Sequence, residues 1–187
     1  PEGPYIHRDG KTNPDNFIAH RQSMVRLGEI IGTLSSAYII TEDEKYAAHA
    51  VTHLKAWFVN EATRMNPSLL YGQAIQGRAS GRSIGIIDTI HLSEVALGAK
   101  KLSASKSFST DDQVEIQAWF REYLTWINSH AYGVKERDAS NNHGICWSLQ
   151  AAAFAQLLDD STQLTWIRNR FKEIYITEMM MNSGEFP

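Results

Sequence analysis

Apolar side chains recur at helical spacing along most of this chain of 187 residues, and this periodicity constrains the fold more than any other feature. The first pattern begins after Asn13-Pro14, a cap followed by proline at the first helical position, and reaches about Tyr38. The segment Thr41-Glu42-Asp43-Glu44 matches a capping box and opens a second helix, which ends before Asn66-Pro67. So short a connection predicts that these two helices are antiparallel neighbours.

Further helices follow at the same spacing, and no run of short alternating strands interrupts them. The predicted helices are Ser83–Leu102, one that begins at a second capping box Thr110-x-x-Gln113, one that follows Asn141-Asn142-His143, and Thr162–Met181. The predicted connections are a loop over residues 66–82, a polar linker over Ser103–Ser109 and a loop over Ala131–Ser140. Long paired helices predict a single all-α domain over residues 1–187, in which antiparallel hairpins form a curved array or (α/α) toroid. A compact helical bundle is the alternative.

Charge and composition narrow the classes of partner. Apolar residues make up 43% of the chain, which is enough for a sizeable core. A net charge of -3 provides no basic field for nucleic acid, and no apolar run approaches the roughly 20 residues of a membrane span. The single cysteine, Cys146, excludes an internal disulfide. We therefore predict neither a nucleic-acid nor a membrane partner, and we interpret the start at Pro1 as that of a processed or trimmed chain.

The segment Asn141-Asn142-His143-Gly144-Ile145-Cys146-Trp147 carries the clearest chemical signal. A side-chain amide can hydrogen-bond a carboxylate without a charge of its own, and a neutral imidazole beside it can take or give a proton. An enzyme needs both abilities to remove a proton from the carbon next to a carboxylate. The alternative is that one asparagine caps a helix and the other residues fill a loop. Metal ligation by His143 lacks further ligands at a recognisable spacing.

A second set of polar residues lies in the glycine-rich loop over residues 66–82. The candidate substrate contacts in it are Tyr71, Gln73, Gln76, Arg78 and Arg82. Arginine grips a carboxylate in a bidentate fork, glutamine meets sugar hydroxyls and tyrosine stacks on a sugar ring. The alternative is that the arginines pair with Asp88, Glu94 or another acid and hold the loop. Helical spacing predicts that most tryptophans lie in the core. Trp126 and Trp147 are kept as candidate sugar contacts because loops flank their helices.

Four segments, in order along the chain, resemble the alginate lyase family, helical-toroid polysaccharide lyases that act on uronate polymers. The first three are Arg8-Asp9-Gly10-Lys11-x-Asn13-Pro14, Gly77-Arg78 through Gly81-Arg82-Ser83-Ile84-Gly85-Ile86-Ile87-Asp88-Thr89, and Asn141-Asn142-His143-Gly144-x-x-Trp147. The last is Ser183-Gly184-Glu185-Phe186-Pro187, which looks like the Asp-Gly-Ser-Phe-Pro turn of the family. The resemblance covers the central part of the family domain and then stops.

The resemblance implies cleavage of an anionic polysaccharide by β-elimination, with Asn142 neutralising the carboxylate and His143 in proton transfer. It implies no metal and no cofactor, since hydrogen bonds replace the metal. The expected substrate-binding residues are Tyr71, Gln73, Gln76, Arg78, Arg82, Asn141 and Trp147. In the family, an arginine and a tyrosine of the active site follow the Phe-Pro turn. We therefore expect an incomplete toroid that lacks its C-terminal part, completed by the remainder of the protein as a second fragment or by an oligomer partner. A secreted or periplasmic location is also expected.

Two other function classes stay open. A helical-toroid glycoside hydrolase would need two carboxylates across the scissile bond, and Asp88, Glu136 and Asp138 are available without an obvious pair. A non-catalytic carbohydrate-binding helical protein would bind sugar without turnover.

Overall fold

A computed structural model of the protein describes residues 18–185. This part of the chain is helical and has no strand beyond an isolated bridge between Ile75 and Ala79. The α-helices are α1 (Ala19–Thr41), α2 (Glu44–Phe58), α3 (Leu92–Leu102), α4 (Thr110–Ser129), α5 (Ala131–Arg137), α6 (Asn142–Leu157) and α7 (Ser161–Arg170). A 3-10 helix over Ser83–Thr89 precedes α3, and a π-helix over Phe171–Met179 continues α7. The prediction of an all-α fold is confirmed.

Helix α6 lies at the centre of the packing, against α3, α4, α5 and α7. Its residues Trp147, Ala151 and Phe154 have no exposed surface, and α1 packs against both α2 and α3. Gly98 of α3 permits the close approach to α1, because a Cβ atom there would lie 2.7 Å from the Ile31 side chain. None of the helices within residues 18–185 has the length and apolar character of a membrane span.

Both predicted capping boxes are wrong in register, although each helix begins close to the predicted place. Thr41 is the last residue of α1, and the extended residue Asp43 caps α2 by accepting from the Lys45 N–H. Ser109 caps α4 by accepting from the Asp112 N–H. The Gln113 side chain donates to the Phe108 carbonyl instead of bonding back to the cap. In both cases the polar residue just before the first helical residue is the one whose extended backbone points its side chain at the free N–H groups.

The predicted helix Ser83–Leu102 is broken into the 3-10 helix and α3. Gly85 lies so close to Gly72 that a Cβ atom would come within 2.7 Å of the Gly72 backbone, so the loop before the 3-10 helix folds directly onto it. Thr89 fixes the end of the 3-10 helix through a buried network: the Tyr123 hydroxyl lies 2.7 Å from the Thr89 Oγ1, which donates to the Gln150 Oε1 at 2.7 Å. These contacts join the 3-10 helix to α4 and α6.

The predicted loop over Ala131–Ser140 is wrong, since residues 131–137 form α5. His130 caps this short helix, its Nδ1 accepting from the Tyr132 N–H. Gly133 packs against the backbone at the end of α4, where a Cβ atom would lie 2.1 Å from the Ile127 carbonyl oxygen. The predicted helix Thr162–Met181 is α-helical only in its first half, as α7, and continues as the π-helix. The segment Arg8–Pro14, with its predicted cap, and the Phe186-Pro187 pair lie outside the described residues.

Candidate active site

The N-terminus of α6 separates the two adjacent asparagines by role. Asn141 is the cap, and its Oδ1 accepts from the His143 backbone N–H at 3.0 Å. Asn142 is the first helical residue; its side chain is exposed and has no hydrogen bond to any other residue in the range 18–185. The amide of Asn142 therefore faces solvent with its donors and its acceptor available.

His143 is oriented by a buried acid. Its Nδ1 lies 2.6 Å from Oε1 of Glu136, whose side chain is 2% exposed, while that of His143 is 22% exposed. A carboxylate at this distance accepts the proton of Nδ1, which leaves the Nε2 lone pair as the proton acceptor. Nε2 has no partner within the part of the chain that the structure describes. Burial raises the pKa of Glu136, and the charge of Asp88 adds to that effect, whereas the hydrogen bond to His143 opposes it.

Asp88, whose charge acts on Glu136, is bonded to the glycine-rich loop. Its carboxylate accepts from the Gln73 Nε2 at 3.0 Å and from the Arg21 Nε at 3.4 Å. Arg82 holds the same glutamine, donating to the Gln73 carbonyl at 2.8 Å and to its Oε1 at 3.2 Å. Gln73 adopts a positive φ of 48° and is fixed there by these bonds. The alternative, in which Arg82 pairs with an acid, is not observed: Arg82 donates to Gln73, which in turn donates to Asp88.

Other residues of the predicted binding loop lie at its surface. Tyr71 is 77% exposed, and Gln76 and Arg78 are also exposed. The loop is joined to α5 by the hydroxyl of Tyr132, which donates to the Gly81 carbonyl at 3.0 Å. The loop, the 3-10 helix and α5 are therefore connected to one another and, through Glu136 and His143, to the start of α6.

Trp147 does not belong to this surface, and the prediction that it contacts substrate is wrong. It has no exposed surface, its indole N–H donates to the Ile127 carbonyl at 3.0 Å, and its ring packs edge-on against Trp166. A ring buried in this way has no face left for a sugar. Trp126 is half-buried and stacks on His130 with the ring centroids 4.7 Å apart.

Glu136 is the residue that sequence reasoning missed in this role. It lies in a segment predicted as a loop, where it is one of three acids available to a hydrolase. The packing of α5 against α6, which no local pattern in the sequence shows, brings its carboxyl to the start of α6. Within residues 18–185, no group of three or more histidine, cysteine, aspartate or glutamate side chains is arranged to hold a metal ion.

The described cavities do not mark this site. One of about 240 Å³ lies between α3, α4 and the end of α6, where Phe108, Ile116 and Leu157 line it below the Lys100–Asp159 ion pair. No predicted site residue lines it, so the hydrogen-bonded groups around His143, and not a cavity, define the candidate active site.

Comparison with known proteins bears on the whole chain. The family model described as "Alginate lyase" matches residues 1–187. The crystal structure of an alginate lyase from Bacteroides ovatus is similar, with a TM-score of 0.91 and 31% sequence identity over 98% of this chain and 49% of that chain. The chain thus spans about half the length of that protein. No curated protein matches the sequence.

Proposed function

The chain belongs to the alginate lyase family, and on that premise we propose that it cleaves a uronate-containing polymer by β-elimination, with Asn142 and His143 at the reacting carbon. The observation that carries the proposal is that Asn141, Asn142 and His143 have different roles at the start of α6. Asn141 caps the helix and leaves the Asn142 amide free, while the buried carboxyl of Glu136 orients the imidazole of His143.

The reaction needs two groups that meet the substrate together. The amide of Asn142 donates to the uronate carboxylate and stabilises the negative charge that grows on it. Nε2 of His143 takes the C5 proton, and the electrons of the C5–H bond move toward the carboxylate as an enolate-like charge. These electrons form the C4=C5 double bond as the C4–O bond breaks, and the C4–O electron pair leaves with the oxygen, which takes up a proton. Charge stabilisation is essential because the C5 proton is too weakly acidic to leave unaided.

The pair of His143 and Glu136 fits the role of a general base with an orienting acid. As Nε2 accepts the proton, the ring becomes an imidazolium whose Nδ1–H still points at the Glu136 carboxylate, 2.6 Å away. The carboxyl group is buried, so water does not compete for this bond. The acid thereby fixes the tautomer before the reaction and stabilises the positive charge during it.

The glycine-rich loop supplies the binding surface in this proposal. Tyr71, Gln76 and Arg78 are exposed on it and meet the sugar rings, hydroxyls and carboxylates of the polymer. Gln73 and Arg82 act indirectly: Arg82 donates to Gln73, the Gln73 amide donates to Asp88, and these bonds hold the loop. Asn141 borders the same surface, with its Oδ1 engaged in the helix cap.

Completion of the active site by chain outside this sequence, or by an oligomer partner, is part of the proposal. The exposed apolar residues of α7 and the segment after it support it, because soluble proteins rarely leave such patches uncovered. These residues are Trp166, Phe171, Ile176, Met180 and Met181. A secreted or periplasmic location, where polymeric uronates are met, belongs to the same proposal.

A glycoside hydrolase is less well supported by the geometry. Asp88 and Glu136 are close enough for the charge of Asp88 to raise the pKa of Glu136. A hydrolase needs both carboxyl groups to reach the glycosidic bond. Glu136 is 2% exposed and engaged with His143, so its carboxyl does not face a substrate.

The test is incubation of the full-length protein with a panel of polyuronates rich in mannuronate, guluronate or glucuronate. Absorbance of the unsaturated uronate product near the ultraviolet edge is expected for at least one of them. New reducing ends without that absorbance would indicate hydrolysis. Sugar binding that survives Asn142→Ala and His143→Ala, with no turnover in the parent, would indicate a binding protein.

The two asparagines provide matched variants for the mechanism. Asn142→Ala should lower kcat by about 100- to 1000-fold and His143→Ala by about 100- to 10,000-fold, each with little change in affinity. Asn141→Ala should cost about 0.5–2 kcal/mol of stability because it removes the cap. A normal kcat with a lowered melting temperature in Asn142→Ala would end the catalytic assignment.

A further inference from the structure

The first turns of α6, which carry Asn142 and His143, are bonded to a buried tyrosine of the π-helix. The hydroxyl of Tyr175, in a residue that is 1% exposed, donates to the Gly144 carbonyl at 2.7 Å. The Ser148 hydroxyl lies 2.5 Å from the phenol oxygen of Tyr175. It donates to that oxygen, since the Tyr175 proton is already donated to Gly144. One phenol oxygen thus fixes the carbonyl of the residue that directly follows His143.

Arg170, the last residue of α7, bonds the residues at the end of α5. Its guanidinium donates to the Arg137 carbonyl at 2.6 Å and to the Asp138 carboxylate at 3.2 Å. Arg137 ends α5, one residue after Glu136, so this bond satisfies a carbonyl that the helix leaves open. The residues that flank the connection between α5 and α6 are therefore fixed by two side chains of one continuous helical segment.

The π-helix brings these two side chains together. Arg170 and Tyr175 are five residues apart, a spacing that places side chains on different sides of an α-helix but on one side of a π-helix. The Arg170 Nε lies 3.3 Å from the Tyr175 hydroxyl, and the guanidinium carbon lies 5.6 Å from the ring centroid. The change from α7 to the π-helix at residue 171 is thus what allows one segment to bond both α5 and α6.

We propose that Tyr175 and Arg170 are positioning residues for proton removal, which set the placement of His143 and Asn142 relative to Glu136. This inference rests on the proposed function. Tyr175 is too deeply buried to touch a substrate, so its effect passes through the backbone of Gly144. The backbone at Gly144 is closely packed, because a Cβ atom there would lie 2.4 Å from the Ala139 carbonyl oxygen. A small shift of this backbone moves the base and the amide donor together, and misplacement on the order of 1 Å costs about 100-fold in rate.

The experiment measures kcat and KM for Tyr175→Phe in the full-length protein on whichever polyuronate the parent cleaves. The variant keeps the ring and removes only the hydroxyl. We expect kcat to fall by about 10- to 100-fold at a temperature well below the melting transition, with KM within about twofold of the parent. The matched control is Tyr38→Phe, which removes a hydroxyl that donates to Glu44 in the α1–α2 hairpin and should leave kcat unchanged.

A double variant separates positioning from a general loss of stability. In a His143→Ala background, Tyr175→Phe should lower kcat by a smaller factor than in the parent, because one of the two groups that it positions is gone, whereas a general loss of stability would act equally in both backgrounds. Arg170→Met, which keeps an unbranched apolar stem but removes the donors, should reproduce the loss of kcat and serves as the test if Tyr175→Phe does not fold. Parental kcat in these variants, or equal losses in Tyr38→Phe, would overturn the positioning role. Failure of the proposed function would show differently, as a parent without lyase activity or a His143→Ala variant that keeps it.

Discussion

The carboxyl group of Glu136 is held where its charge is disfavoured. Burial raises its pKa, with the charge of Asp88 as an additional cause and the hydrogen bond from His143 as an opposing one. For an acid, a folded-state pKa above the ordinary value of 4.5 means that the folded state binds more protons than the unfolded state just above pH 4.5. Stability therefore falls as the pH rises from 4.5 through the folded-state pKa. Burying this acid costs stability at neutral pH, which is typical of a group retained for function.

Glu136→Gln should for that reason separate stability from activity. At pH 7 we expect a melting temperature equal to or above that of the parent, because the buried charge is gone and an amide oxygen can still accept from Nδ1. We expect kcat to fall by about 10- to 100-fold, since the imidazolium loses the charge that stabilises it. Thermal melts between pH 4.5 and 8, with kcat on the same samples, test both parts. The control is Glu122→Gln, an exposed acid of α4. A strong drop in melting temperature with parental kcat would mean that Glu136 is structural.

The parts of the site that the sequence predicts are those whose residues lie next to one another along the chain. Asn142 and His143 are adjacent, so the sequence alone shows an amide beside an imidazole. The distinction between Asn141 and Asn142 needed the backbone, because only the extended residue before the helix can cap it. The prediction for Trp147 fails because helical spacing does not tell which side of α6 meets the core.

At the scale of elements, the linker between α3 and α4 is held by one side chain of α2. The carboxylate of Glu44 accepts from the Ser105 hydroxyl at 2.6 Å, from the Ser107 hydroxyl at 2.7 Å and from the backbone N–H groups of Lys106 and Ser107. These bonds, led by the one from Ser105, lower the pKa of Glu44 to about 2. This polar linker, whose one large apolar side chain is the buried Phe108, is thus also fixed by charge-assisted hydrogen bonds.

Glu44→Gln should loosen this linker in a pH-dependent way. Because the folded-state pKa lies below the ordinary value of 4.5, the stabilisation is fully present above pH 4.5 and is lost as the pH falls through about 2. The variant should melt below the parent at pH 7, and the difference should shrink between pH 4.5 and pH 2. Circular dichroism melts over this range provide the measurement, with the exposed acid Glu29 mutated to Gln as the control. A difference in melting temperature that does not change with pH would contradict the role of the charge.

An element can be predicted from the sequence when it is long and when neighbouring residues, not distant contacts, determine it. The long helices α1, α2, α4 and α6 follow from apolar periodicity, which sums over many residues. Helix α5 has seven residues, one of them a glycine, and the contact that explains Gly133 is with the end of α4. The 3-10 helix depends on the meeting of Gly72 and Gly85 and on the network of Thr89, Tyr123 and Gln150. Contacts of this kind join residues far apart in sequence and leave no periodic signal.

At the scale of the whole molecule, a chain with a net charge of -3 is proposed to bind a polyanion. The overall field does not attract such a ligand, so the attraction has to come from local groups on the binding surface. The Arg78 side chain is exposed on the loop, whereas that of Arg82 is half-buried and its bonds to Gln73 hold the loop in shape. The two arginines should therefore differ in how their removal responds to salt.

The last prediction uses that difference. In a His143→Ala background, where the polymer is not consumed, Arg78→Ala should weaken polyuronate binding by about two- to fivefold at low ionic strength, the range of an exposed charge contact. The effect should fade in high salt, because contacts between exposed charges are screened. Arg82→Ala should weaken binding at both ionic strengths, because it releases Gln73 and with it the loop, and salt does not restore that shape. Titration calorimetry at two salt concentrations measures both, with Arg121→Ala, an exposed arginine of α4, as the control for net charge. Should both loop variants bind like the parent at low ionic strength, residues 71–82 would be a structural element of the fold and the binding surface would have to be sought elsewhere.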